Sequence, residues 1–340
     1  MIPCCRALET RASLGHRCSI NTLLSKLIEF RPMAKRSNVA PGNPTLFEMG
    51  KPEQITKPIA DALAPRPYDI PNLYLGTSSF TASGWAGTFY PDGMKSAEYL
   101  AHYSKTFKCV EIDSSFYGTP APATVLSWYQ KTPADFIFAA KVPKIITHDK
   151  VLKDCDVELN EFIKNISLLN EKLGPLLLQF PLFDKYKFKT GEHFLEQLCT
   201  FLKKLPETVA RRFVVEIRNR GWLDETFLDV LREHSVALAL TDTSFVPRPW
   251  ELKKSLNLTT AEFAYIRWLG NRKEIEKTTT TWNKTVVDRT NDLKRWVQFV
   301  RQQVSDRKTK HVFLFANNHY AGFGPATIQQ FWELWRESLL

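Results

Sequence analysis

The sequence predicts a single (β/α)8 TIM barrel. Eight short β-favouring runs recur along the chain, and a helical pattern separates nearly every consecutive pair. The runs lie between Leu73 and Leu334, which is close to the ~250 residues usual for this fold. An open doubly wound sheet is the competing class. It calls for a Gly-rich turn after the first strand, but Gly76 falls inside that strand and no GxGxxG follows it. No internal repeat is present.

The elements follow in order. The first strand is Leu73–Ser79, and a short helix Ser96–Lys105 comes after the loop GWAGTFYP. The second strand opens the stretch Cys109–Pro120, CVEIDSSFYGTP. Glu111, Asp113, Ser115 and Tyr117 stand at every second position there, so period two predicts one shared face. A helix over Pro122–Lys131 leads to the third strand, Phe136–Lys141. Leu159, Phe162, Ile163, Ile166, Leu169 and Leu173 form one apolar stripe and predict a helix Glu158–Leu173, ended by Gly174. The fourth strand is Leu176–Phe180, closed by Pro181. Helix Gly191–Leu205, strand Arg212–Ile217, helix Glu225–His234 and strand Val236–Thr241 follow. The seventh strand is Phe263–Arg267, with a polar loop Lys273–Thr281. Helix Thr285–Val304, strand His311–Ala316 and helix Pro325–Leu334 complete the pattern.

The 340 residues are 44% hydrophobic and 24% charged, an ordinary globular composition with length for a large core. No apolar run approaches the ~18 residues of a membrane helix. The net charge is +10, but Met1–Arg36 holds seven Lys or Arg against two Glu, so half of the excess lies in that segment. Residues 1–36 therefore read as a basic extension, either an organelle transit segment or a stretch upstream of a start at Met33. Residues 37–71 carry seven Pro and read as an extended, disordered arm. Residues 72–338 form the barrel. Six Cys without a CxxC support neither a zinc ribbon nor thioredoxin chemistry, and suggest a reducing, cytoplasmic setting.

Function in this fold sits at the C-terminal ends of the strands. Those ends are polar throughout. They carry Ser78, then Glu111, Asp113 and Tyr117, then Lys141 with His148, then Gln179. Glu216, Arg218 and Trp222 follow, then Thr241 and Asp242, Arg267, and finally Asn317, Asn318 and His319. Ionisable groups inside a barrel are costly unless paired. One reading is mutual neutralisation, such as Glu111 with Arg218 and Asp242 with Lys141. The other is a polar pocket of mixed charge, which is the usual form of an enzyme site. Glu111, Glu216 and Asp242 are the catalytic candidates, with Glu111 and Glu216 suited to acid and base roles of the glycosidase kind. Lys141, Arg218, Arg267, Asn317, Asn318, His319, Tyr117 and Trp222 are the substrate- or anion-binding candidates. The loop NNHYAGFGP before Pro325 offers a helix start that could hold phosphate, with Arg267 supplying charge. No protein-bound metal or cofactor is predicted. A single divalent ion on Glu111, Asp113 or Asp242 is the alternative, and the scarcity of His argues against a multi-zinc site. Trp85, Phe89, Tyr90, Trp222, Trp268 and Tyr320 either stack a ligand or close the loops over the barrel.

Taken together, the motifs GTSSF and GWAGTFYP, VEIDSSFYGTP, TPADFIFAAKVP, GPLLLQFP, VVEIRNRGW, AYIRWLG and FANNHYAGFGP are specific. Over about Leu73 to Leu334 the chain resembles the YecE-like family, also called domain of unknown function 72. The resemblance implies a TIM-barrel fold and this polar rim, and carries no particular reaction. The chain departs from the family pattern at Asp113, where the family has Asn, at Phe80, where it has Trp, and at Leu269, where it has His. The family also looks like barrel endonucleases acting at abasic DNA sites in its general architecture.

The expectation is an enzyme, a hydrolase, lyase or isomerase, acting on a small polar or phosphorylated substrate in the barrel mouth. A nucleic-acid-binding protein or nuclease is the alternative suggested by the pI of about 9.2. A non-catalytic binding barrel is the third class.

Overall fold

The computed structural model describes residues 68–205, 209, 212–252 and 256–338. The readings of residues 1–36 and 37–67 lie outside the described residues. Eight strands form one all-parallel sheet: β1 (Leu73–Thr77), β2 (Cys109–Ile112), β3 (Ile137–Lys141), β4 (Leu173–Gln179), β5 (Phe213–Glu216), β6 (Ala237–Thr243), β7 (Phe263–Gly270) and β8 (His311–Ala316). Their order is β1-β8-β7-β6-β5-β4-β3-β2, so each strand lies beside its sequence neighbour and β1 and β2 meet at the seam of a nearly closed barrel.

Side chains close that seam. The Tyr103 hydroxyl accepts from the Thr77 amide at 2.8 Å and donates to the Cys109 carbonyl at 3.1 Å, linking β1 to β2 where no ladder forms. Gly76 makes the approach feasible, because a Cβ there would overlap the Cys109 carbonyl oxygen.

The surrounding helices are α1 (Tyr99–Thr106), α2 (Pro122–Gln130), α3 (Asp156–Ile166), α4 (Gly191–Lys203), α5 (Glu225–Glu233), α6 (Arg272–Ile275), α7 (Thr290–Ser305), α8 (Asn318–Ala321) and α9 (Gly324–Glu337). Two apolar clusters result. The larger fills the space between barrel and helices. The smaller fills the barrel itself, with Cys109, Ala139, Leu177, Val214, Ala237, Ala239, Tyr265, Phe313 and Phe315. Alternation along each strand follows from this. The next inward positions above that layer are Ser78, Glu111, Lys141, Gln179, Glu216, Thr241 and Arg267.

Several boundaries differ from the sequence expectation. The helix expected over Glu158–Leu173 stops at Ile166, and tight turns over Ser167–Lys172 lead directly into β4. The apolar stripe continues through those turns because Leu169 still packs on the core, so periodicity alone extends the helix too far. The helix expected from Thr285 begins at Thr290. The face expected to run from Glu111 to Tyr117 breaks at Asp113, because Ser114–Phe116 is a single 3-10 turn. The Ser115 hydroxyl lies 2.7 Å from both the Ile112 and Lys141 carbonyl oxygens, which pins that turn onto β3.

Candidate functional site

Arg267 is the centre of the barrel mouth. It stands on β7, 2% exposed, and reaches across the lumen to two other strands. Its Nε and Nη2 donate to the two oxygens of Glu111 on β2 at 2.8 and 2.6 Å. Its Nη1 donates to Glu216 on β5 at 2.6 Å. The Tyr265 hydroxyl, one layer below, donates to Glu111 at 2.5 Å. A guanidinium fork fits a carboxylate in this two-pronged way, and Lys could not replace it.

This geometry decides the protonation states. Burial alone would raise the Glu111 carboxyl, but Arg267, the Tyr265 hydroxyl and Lys141 more than offset it and hold it below the ordinary value. Burial would lower Arg267, yet Glu111, Glu216 and Asp113 raise it well above its ordinary value. Glu111 is therefore a fixed anion. All its strong contacts are inward, and it has no proton to give near neutral pH.

Asp113 sits at the edge of the same cluster, with 31% of its side chain exposed and Oδ1 at 3.6 Å from Arg267 Nη2. Arg267 is already occupied by the two glutamates, so Asp113 gains little from it. Burial first, and then the neighbouring Glu111 charge, push its carboxyl up to about 6. Lys141 projects from the end of β3 with its Nζ 4.1 Å from the centre of the Phe116 ring. Burial lowers its ammonium, with Asp113 pulling the other way and Arg267 adding to the decrease. His148 lies in a π turn over Ile145–Asp149 and packs edge-on against Phe116 at 4.9 Å. Burial, Lys141 and Arg218 bring its imidazole down to about 4, so it is neutral at pH 7. Arg218 stands 3.8 Å from Glu216 and 4.7 Å over the Phe245 ring.

Four buried polar atoms of the mouth have no hydrogen-bond partner: Ser78 Oγ, Thr241 Oγ1, Asp113 Oδ1 and Arg218 Nε. Buried polar atoms are rarely left unpaired, so a concentration of them in one mouth marks a place where a ligand would complete the bonding.

The other candidates are placed differently. Asp242 follows Thr241 and faces away from the lumen. It accepts from Arg248 Nε at 3.0 Å, Trp296 Nε1 at 2.8 Å and the Tyr320 hydroxyl at 3.0 Å, and so ties β6 to α7 and α8. The suggested pairs are replaced: Glu111 bonds Arg267 rather than Arg218, and Asp242 bonds Arg248 rather than Lys141. Asn317 caps α8 and accepts from His319 Nδ1 at 2.6 Å, while His319 Nε2 lies 3.3 Å from Glu276. Asn318 Oδ1 accepts the Gly324 amide at 2.9 Å. That amide is one of the N–H groups at the helix start, and a protein group already engages it. Trp222 stacks on Phe183 and Phe194 behind the rim. Tyr117 is 78% exposed. Trp85, Tyr90, Trp268 and Tyr320 are fully buried, which makes them loop packing rather than stacking platforms.

Asp113 and His148, which the sequence places on the rim, take part in the cluster, and Tyr265, which the sequence did not single out, joins them. The period-two spacing from Glu111 marks Asp113. Nothing local marks Tyr265, which reads as an ordinary aromatic of a strand. Among the described residues, no group of three His, Cys, Asp or Glu is placed to hold a metal ion. A separate groove of about 660 Å3 opens on the flank between the loop after β3 and α4. Lys150, Lys153, Lys187, His193, Gln197 and Lys204 line it, and it shares no residue with the mouth.

Fold and site together define a (β/α)8-barrel protein with a buried, nearly charge-balanced mouth at the C-terminal ends of its strands. The chain belongs to the family described as Protein of unknown function DUF72, whose family model matches residues 74–339. It is 32% identical over 176 residues to the UPF0759 protein YecE of Escherichia coli, an alignment covering 50% of this chain and 59% of that one. It is 27% identical over 166 residues to the UPF0759 protein YunF of Bacillus subtilis, covering 46% and 54%. The chain thus spans little more than half the length of these relatives. The crystal structure of a DUF72 family protein from Thermotoga maritima superposes with a TM-score of 0.59 at 26% identity, covering 78% of this chain and 98% of that one. A DUF72 family protein from Enterococcus faecalis gives 0.56 at 20% identity, covering 78% and 95%, and supports the fold.

Proposed function

We propose that this protein is an enzyme acting on a small, polar, anionic substrate held in the barrel mouth. The observation that carries the reading is the set of unpartnered buried polar atoms around a cluster whose own charges are already fixed. Arg267, Glu111 and Glu216 form the rigid floor. Lys141 and Arg218, the latter 3.8 Å from Glu216, supply further positive charge at its edge. Asp113, pushed up to about 6, supplies a proton-transfer group that changes state near neutral pH. The acid and base roles thus move from Glu111 and Glu216 to Asp113. A carbonyl or hydroxyl compound bearing a carboxylate or phosphate matches these groups.

A ligand screen of small anionic metabolites, read by thermal shift and by ligand-observed NMR at low ionic strength, tests this. Arg218→Ala should weaken the hits by about ten- to a hundredfold, the value of a charge-assisted hydrogen bond. If Arg218→Ala and Lys141→Met both stay folded and bind every hit as the parent does, the site is elsewhere.

A further inference from the structure

We propose that Lys141 is a nucleophile that forms a Schiff base with a carbonyl substrate, which makes the reaction that of a lyase or isomerase. This inference rests on the mouth being the substrate site and names the chemistry performed there.

Four observations support it. First, Lys141 is the inward residue at the end of β3, and its backbone is held on both sides: the Val142 amide donates to Leu177 at 2.9 Å, and Ser115 caps the Lys141 carbonyl at 2.7 Å. The stem is therefore aimed by the barrel. Second, among the described residues the Lys141 Nζ makes neither a hydrogen bond nor an ion pair. Glu111 and Glu216 bond Arg267, and Asp113, whose charge acts on Lys141, forms no ion pair with it. An amine meant only to neutralise an acid would be paired with one. Third, its surroundings disfavour the ammonium. Burial is the largest effect, Arg267 adds like charge, and only Asp113 and the two glutamates oppose them. A desolvated lysine near another cation is the environment that makes amines nucleophilic. Fourth, groups suited to carbonyl addition stand at the same strand ends. Asp113 can hold a proton near neutral pH, and Ser78 Oγ and Thr241 Oγ1 are buried hydroxyls without partners.

The step balances with the residues present. The neutral Lys141 amine attacks the carbonyl carbon, and a C–N bond forms as the C=O π pair moves to oxygen. Loss of one amine proton gives a carbinolamine. Protonated Asp113 gives its proton to the carbinolamine hydroxyl, the C–O bond breaks, and water leaves. One proton of that water comes from the amine and one from Asp113, with the product an iminium cation facing the Asp113 carboxylate. No oxidant or reductant enters. The iminium draws electrons from the adjacent carbon, so a C–H or C–C bond there is weakened, and Asp113 as carboxylate is placed to take the proton.

The test is borohydride trapping on the full chain with two probes, glyoxylate and glycolaldehyde phosphate, at pH 7.5. Reduction fixes the iminium as a stable amine, which peptide mass mapping locates. The expected result is one adduct per chain at Lys141, absent from Lys141→Arg, with surface lysines little labelled. Asp113→Asn should slow adduct formation by about a hundredfold, the lower range for losing a general acid. Adducts spread over surface lysines equally in the parent and Lys141→Arg overturn the inference. Binding of a probe is followed in parallel by NMR. A probe that binds, loses affinity in Arg218→Ala and yet is never trapped on Lys141 removes the nucleophile and leaves the anion-binding mouth. Failure of both probes to bind or trap removes both readings.

Discussion

At the scale of single residues, Arg267 decides what its neighbours can do. One guanidinium holding two buried carboxylates leaves the third, Asp113, under-compensated. Removing one partner of a buried pair costs about 3–5 kcal/mol, because a desolvated charge is left alone. Glu111→Gln and Arg267→Met should each lower unfolding stability by about that amount in urea titrations. The double variant should lose less than the sum, since the two residues share one contact. Glu111, held below its ordinary value, contributes stability above the carboxylate range and loses it as pH falls through the folded pKa. Asp113 behaves in the opposite sense. Its pKa rises from 3.8 to about 6 on folding, so the folded state binds more proton between those values and stability falls as pH rises through them. Asp113→Asn removes that loss. Its melting temperature should exceed the parent's above pH 6, and the gap should close by about pH 4, as read by calorimetry across that range.

At the scale of elements, the barrel depends on contacts between strands and helices rather than on ladders alone. Tyr103→Phe removes the hydrogen bonds to the Thr77 amide and the Cys109 carbonyl at the β1–β2 seam, so it should cost about 1–3 kcal/mol. Gly76→Ala should cost more, because the clash is with backbone and cannot be relieved by a rotamer. Asp242 ties β6 to α7 through Trp296 and to α8 through Tyr320. Asp242→Asn should lower the melting temperature while leaving the affinity of the mouth for glyoxylate unchanged. Equal loss of affinity in Asp242→Asn and Arg218→Ala would return Asp242 to the site.

At the scale of the whole molecule, the charge excess is unevenly spread along the sequence. Half of the +10 excess lies in Met1–Arg36, whereas the mouth sets Arg267, Lys141 and Arg218 against Glu111, Glu216 and Asp113. Any affinity for duplex DNA should therefore be non-specific. It should fall by orders of magnitude between 50 and 200 mM salt, as counterion release requires, and Lys141→Met should leave it unchanged in a filter-binding titration. A DNA affinity that survives salt and is lost in Lys141→Met would favour a nucleic-acid role for the mouth.

The fold was legible because strand and helix periods are local. Runs such as Phe136–Lys141 and His311–Ala316 declare themselves by composition, and their number and spacing allow few architectures. The polar strand ends were legible for the same reason. Their partners were not. Glu111 finds Arg267 across 156 residues of chain and Tyr265 across 154, and no local pattern encodes which strand lies opposite. The inward or outward sense of Asp242 depends on the phase of β6, set by Ala237 and Ala239 packing in the lumen. By itself the sequence determined the strands, their order and the supply of charge at one end of the barrel. The tertiary structure alone decided which charges cancel and which stay available, because pairing and desolvation depend on distance and burial, and neither is a property of sequence position.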